Sequence, residues 1–194
     1  MTSTLLPREF MSLESYERQR EGLLAEGVAR RRERTVQVGP NAKVIFEDER
    51  TVRHQIQEML HLERISAEEE IQAGIDVYAP LIPSGSNLKA TLMIEFQGDG
   101  DPRARLAKLA GVEKRVWMQT EGSSRIFGIA DEDSDRASAV QASAVHFLRF
   151  ELEKAMLRDL KQGSRLSLGI DHPAYSAGLV LRDGVRRLLL NDLR

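Results

Sequence analysis

Apolar positions along this chain switch between two periods, and the switches mark its elements. Leu13, Tyr16, Leu23, Leu24 and Val28 fall at helical spacing, and Ser12 stands where an N-cap belongs. The pattern predicts an N-terminal helical segment over 12–34, preceded by a flexible stretch over 1–11. Gly22 and Gly27 weaken this helix slightly. Arg30, Arg31, Arg32 and Arg34 crowd its last turns, where cations suit the negative end of the helix dipole. Period-two runs follow at Thr35–Val38 and Lys43–Phe46, joined by Gly39-Pro40-Asn41, and predict a hairpin.

Helical spacing returns after Asp48, a second cap, and runs to about Arg64. A third helix is predicted from Ser66, whose spacing to Glu69 is that of a capping box; Ile71, Gly74, Ile75 and Tyr78 form its face and Pro80 stops it. Leu88–Phe96 reads as a strand, and Pro102 opens a short helix to about Leu109. Val116–Thr120 and Arg125–Ala130 predict a second hairpin, followed by an acidic loop over Asp131–Asp135. Residues 144–160 fit one helix, through Val145, Leu148, Leu152, Met156 and Leu160, or a strand over Val145–Phe150 followed by a helix; the second reading is preferred. Leu166–Ile170 is a strand, Leu179–Leu181 an edge strand and Val185–Leu193 a closing helix. The expected fold is α+β: one domain over 1–194, with a mostly antiparallel sheet of six to seven strands and helices on one face.

Composition narrows the function classes. The 194 residues carry 28 Lys plus Arg against 30 Asp plus Glu, a net charge of −2. A balance so near neutrality gives no general attraction to nucleic acid. The chain has no cysteine, which removes disulfides, thiol nucleophiles and cysteine-ligated clusters. Met1–Phe10 lacks a basic-then-apolar leader pattern, and the longest uncharged run, Ala137–Leu148, falls short of the about 20 apolar residues a membrane helix needs. No membrane association and a cytoplasmic address are therefore expected.

Three groups of residues carry candidate chemistry. His54, Glu58 and His61 share a helix face, as metal ligands must, and Glu58-x-x-His61 matches half of a di-iron carboxylate motif; the second half is missing. At about 100° per residue they lie opposite Val52, Ile56 and Met59, so a solvated polar stripe is the expectation, with no metal and no cofactor. Glu63 falls near the apolar side and calls for a partner such as Arg53 or Arg64. Asp171, His172 and Tyr175 offer a carboxylate, an imidazole and a phenol in one turn, able to move protons if they line a cleft. Asp131-x-Asp133-x-Asp135 imitates a calcium loop but has Arg136 where glycine is required and Ala142 where the bidentate Glu belongs. Gly98-x-Gly100 lacks the Lys-Ser/Thr of a phosphate loop. Trp117 is expected in the core.

Longer stretches carry a resemblance. Ser15-Tyr16-Glu17-Arg18-Gln19-Arg20, then Val38-Gly39-Pro40 through Phe46-Glu47, Thr51-Val52-Arg53, Gln55-Ile56-Gln57-Glu58-Met59-Leu60 and Glu63-Arg64-Ile65 open it. Leu81-Ile82-Pro83, Ala90 to Glu95, Val116-Trp117, Phe147 to Phe150 and Asp171 to Tyr175 continue it. Together they resemble a bacterial family defined as a domain of unknown function (thirty-five-oh-one), from Tyr16 onward. The resemblance implies no particular activity. It implies a setting: gene clusters that also encode rubrerythrin-like di-iron proteins and iron–sulfur oxidoreductase subunits. The chain departs from the family pattern at His54, where an apolar residue is expected, and at His61.

The leading expectation is a non-catalytic accessory or partner-binding protein of a redox or peroxide-defence system. Its partner would be a rubrerythrin-like or iron–sulfur protein, or a second copy of itself, met through the Tyr16-Glu17-Arg18 face and the arginine cluster. The alternative is a small-ligand-binding protein or enzyme whose pocket gathers Arg18, Glu58, Glu63, Arg64, Asp171, His172 and Tyr175, with arginines holding an anion. A metal-binding protein is the third. Convergence of those side chains in one concavity separates the first two.

Overall fold

The structure, a computed structural model, describes residues 5–98, 101–130 and 144–193. Ser12 accepts a hydrogen bond from the Ser15 N–H and starts α1 (Leu13–Glu33). The first hairpin forms as β1 (Thr35–Val38) and β2 (Ala42–Phe46). Asp48 caps α2 (Glu49–Leu62): its carboxylate accepts from the Thr51 N–H, and the Thr51 hydroxyl accepts from the Asp48 N–H. α3 (Glu68–Tyr78) begins later than expected, with Ala67 at the cap and no side-chain cap bond. The Ser66–Glu69 box is not made; three glutamates in the first turn face the positive end of the dipole instead.

The remaining elements are β3 (Asn87–Ile94), α4 (Pro102–Ala107), β4 (Val116–Thr120), β5 (Ile126–Phe127), β6 (Ile129–Ala130), β7 (Val145–Glu151), α5 (Lys154–Lys161), β8 (Leu166–His172), β9 (Tyr175–Val180) and α6 (Asp183–Asp192). Residues 145–161 are thus a strand and then a helix. The acidic loop Asp131–Asp135 and its calcium-loop imitation lie outside the described residues.

The fold is α+β, but the strands form two antiparallel sheets rather than one: β1-β2-β3-β7-β6 and β5-β4-β8-β9. Gly128 marks the division. Phe127 pairs with Trp117 in the smaller sheet, while Ile129 pairs with Arg149 in the larger. Between them the Gly128 N–H donates to the Val116 carbonyl, and a Cβ there would lie 3.2 Å from the Phe150 ring. The second predicted hairpin arm therefore leaves one sheet for the other at a residue without a side chain.

The sheets face each other across the main core. Val38, Val44, Phe46, Leu88, Leu92, Leu148 and Phe150 meet Val116, Met118, Leu166, Leu168 and Ile170 there. Leu160 of α5 and Leu189 of α6 join this core, so the helices do not keep to one face. A second core lies on the outer side of the larger sheet: Val52, Ile56 and Leu60 of α2, Ile75 of α3, and Phe147. β3 lies between the two and is buried along most of both faces, which is why its sequence reads as a continuous apolar run. Leu5 is 1% exposed in this second core, so the described part of the expected flexible N-terminus is packed.

Candidate functional site

The stripe of His54, Glu58 and His61 does not face solvent. Its α2 face is covered by α1, and each member is engaged there. The Tyr16 hydroxyl donates to Glu58 Oε2 at 2.8 Å, and Arg20 donates to Glu58 Oε1 at 2.5 Å. The His54 Nε2–H donates to the Leu23 carbonyl at 3.1 Å. His61 Nε2 lies 3.0 Å from Glu17 Oε2, with its ring tilted against Tyr16 at 5.4 Å. On α1, positions 16, 20, 23, 27 and 30 recur every three or four residues and form the facing seam. α1 carries no sustained apolar stripe and, within its span, buries only Tyr16 fully. Charge-assisted hydrogen bonds tie it down toward both ends, from Tyr16 and Arg20 to Glu58 and from Arg30 to Asp48, with the neutral His54–Leu23 bond between them.

These contacts polarise the pair at the centre of the seam. The Arg20 hydrogen bond, then that of Tyr16, holds the Glu58 carboxyl below its usual range. Burial, together with the neighbouring Glu58 charge, pushes the Tyr16 phenol up to about 12. Among the described residues, no set of three or more His, Asp or Glu side chains is arranged to hold a metal.

The arginine cluster is the second surprise. Arg34 is fully buried. Its Nε donates to the Phe46 carbonyl at 2.7 Å, and its guanidinium pairs with Asp192 and, at 3.3 Å, with Asp48. Arg30 donates from Nε to Asp48 at 3.0 Å. The two carboxylates respond differently. Burial would raise Asp48, but the Thr51 N–H, Arg34 and Arg30 outweigh it and lower its pKa. Burial dominates at Asp192 and raises it. Two of the four clustered arginines are therefore a structural clamp joining α1, the α2 cap and α6, not a free basic patch.

The other candidates scatter. Asp171 is exposed and pairs with Arg125 at 3.1 Å. His172 Nε2 lies 3.2 Å from the Ala110 carbonyl. The Tyr175 hydroxyl donates to the Val38 carbonyl at 2.6 Å and accepts from the Asn41 and Ala42 N–H groups, tying β9 to the first hairpin. Arg18 is exposed and pairs with Glu14. Glu63 and Arg64 are exposed beyond the end of α2, Arg64 with φ of 59°, so Glu63 is no buried acid; Arg53 pairs with Glu9 and Glu49 instead. Trp117 is buried, but against the outer side of its sheet: its ring covers Gly169 and Gly178, and Arg125 stacks over it at 4.0 Å.

Sequence reasoning missed two buried acids. Glu47, 1% exposed, accepts from the Thr51 and Thr91 hydroxyls and from Gln55. Glu113, 8% exposed, has its Oε2 4.0 Å from His146 Nδ1. Glu47 ends an apolar run and precedes a helix cap, which is a usable signal; Glu113 carries none.

Comparison with known proteins follows this geometry. The model of a family described as a protein of unknown function (DUF3501) matches residues 4–193. The chain belongs to the DUF3501 family. The chain is also similar to the crystal structure of a novel protein of unknown function from Burkholderia pseudomallei K96243, 45% identical, with a TM-score of 0.92 over 100% of both chains. No curated protein matches the chain. Among the described residues, no helix is long and apolar enough to cross a membrane.

Proposed function

We propose that this DUF3501 protein is a non-catalytic accessory that binds a protein partner within a redox or peroxide-defence system. One observation carries the non-catalytic half. The seven side chains that an Arg/Glu/Asp-His pocket would gather are divided among the outer side of α1, the α1–α2 seam, the end of α2 and the β8–β9 hairpin, and five of the seven are tied by hydrogen bonds or ion pairs. General acid–base chemistry needs convergence, not inventory. The redox setting rests on the family resemblance, and the lack of cysteine removes only cysteine-ligated clusters from this chain. The partner surface is the outer side of α1, which presents Arg18, Glu21, Arg32 and the 64%-exposed Val28.

Affinity capture from the native host with wild type and with a Val28→Asp/Arg18→Glu variant tests this. A redox protein recovered in stoichiometric amount by wild type and lost by an equally stable variant is expected. Recovery of no stoichiometric partner, or only of proteins unrelated to redox chemistry, overturns the reading.

A further inference from the structure

A cleft of about 680 Å³ opens along α1 and α2, lined from Tyr16 to Glu33 on α1 and from Arg50 to Gln57 on α2. Its volume suits a small ligand. Met11, Leu23 and Ala29 contribute apolar lining, and the His54 ring lies in its wall. Two features hold that ring. The Leu23 carbonyl can only accept, so in the neutral imidazole the hydrogen sits on Nε2 and the lone pair on Nδ1. Gly27 supplies the notch: a Cβ at that position would lie 2.4 Å from Nε2. The result is an imidazole of fixed tautomer and orientation whose Nδ1 acceptor has no partner among the described residues. Arg31 of α1 and Arg50 of α2 line the same cleft, and among the described residues neither has a carboxylate partner. Glu26 and Glu33 also stand on the rim and are exposed, which disfavours a polyanion.

We propose that this cleft binds a small organic acid with one negative charge, an apolar body, and a hydroxyl group beside the carboxylate. The carboxylate lies against Arg31 and Arg50, whose planar guanidinium groups suit it. The apolar body covers Leu23 and Ala29. The hydroxyl hydrogen is donated to His54 Nδ1. None of the cationic groups belongs to the pocket expected from sequence, and the proposal stands apart from the partner reading.

Calorimetric titration of the full chain with three probes tests it: hydroxyisocaproate, isocaproate without the hydroxyl, and isohexanol without the carboxylate. Hydroxyisocaproate is expected to saturate, isocaproate to bind about tenfold more weakly, and isohexanol to give no saturation below about 10 mM. Arg31→Gln/Arg50→Gln weakens both acids by about tenfold or more. His54→Leu removes the preference for the hydroxyl while keeping isocaproate affinity, whereas His54→Gln, whose amide can donate to the Leu23 carbonyl and accept from the hydroxyl, keeps the preference; if His54→Leu melts early, the arginine variant decides. No saturation by hydroxyisocaproate below about 10 mM, or unchanged affinity in an arginine variant that melts like wild type, overturns the proposal.

Discussion

Gly27 shows how a residue's cost in one setting becomes its use in another. In an exposed helix, glycine is about 0.5–1 kcal/mol worse than alanine, and by that rule it only weakens α1. In the structure it is the notch that receives His54. Gly27→Ala is therefore expected to destabilise the protein by about 1–2 kcal/mol, through overpacking against the ring. The same change in a His54→Ala background is expected to stabilise by about 0.5–1 kcal/mol. Urea unfolding of the four proteins checks the reversal of sign. Tyr16 supports a pH prediction. Its folded pKa, about 12, lies above the ordinary 10.0. From pH 10 upward the unfolded chain loses this proton first, so stability present below that range falls as pH rises toward 12. Tyr16→Phe is expected to flatten that loss in alkaline unfolding curves.

At the scale of elements, α1 is attached in a way that hydrophobic patterning does not reveal. Leu13, Tyr16, Leu23, Leu24 and Val28 share helical spacing, yet Val28 is exposed while Arg20, Arg30 and Arg34 turn inward. Periodicity finds the helix but not its inner face, because an arginine paired with a carboxylate is as well accommodated as a leucine there. For the same reason, the polar stripe of α2 read as solvent-facing when another helix covers it. The clamp at the base of α1 separates two carboxylates. Asp48 has a lowered pKa, so its contribution is present above the ordinary 3.8 and is lost as pH falls. Asp192 has a raised pKa, so its ionisation in the fold is a net cost. Asp48→Asn is thus expected to destabilise by about 3 kcal/mol, because it strips Arg34 and Arg30 together. Asp192→Asn is expected to cost less than about 1 kcal/mol, since a neutral oxygen still accepts from Arg34. Thermal unfolding near neutral pH distinguishes the two; equal losses contradict the difference.

For the whole molecule, element order and the α+β class were legible, because turn residues and period changes are local signals. The division into two sheets was not. It turns on Gly128 and on two-residue strands whose partners lie far apart in sequence, and no local pattern encodes which sheet such a strand joins. The candidate site divides along the same line. Spacing correctly placed His54, Glu58 and His61 on one face, while their roles depended on what packs over that face. Asp171, His172 and Tyr175 are neighbours in sequence, but alternation along β8 and β9 and the turn between them send them to different partners.

The polar groups of α2 hold α1 in place. A double-mutant cycle between Tyr16→Phe and Glu58→Ala, read as unfolding free energy, tests it most directly. A coupling of about 1–2 kcal/mol is predicted for a buried hydroxyl donating to a carboxylate. Additivity within about 0.3 kcal/mol would show that the seam does not hold the helix.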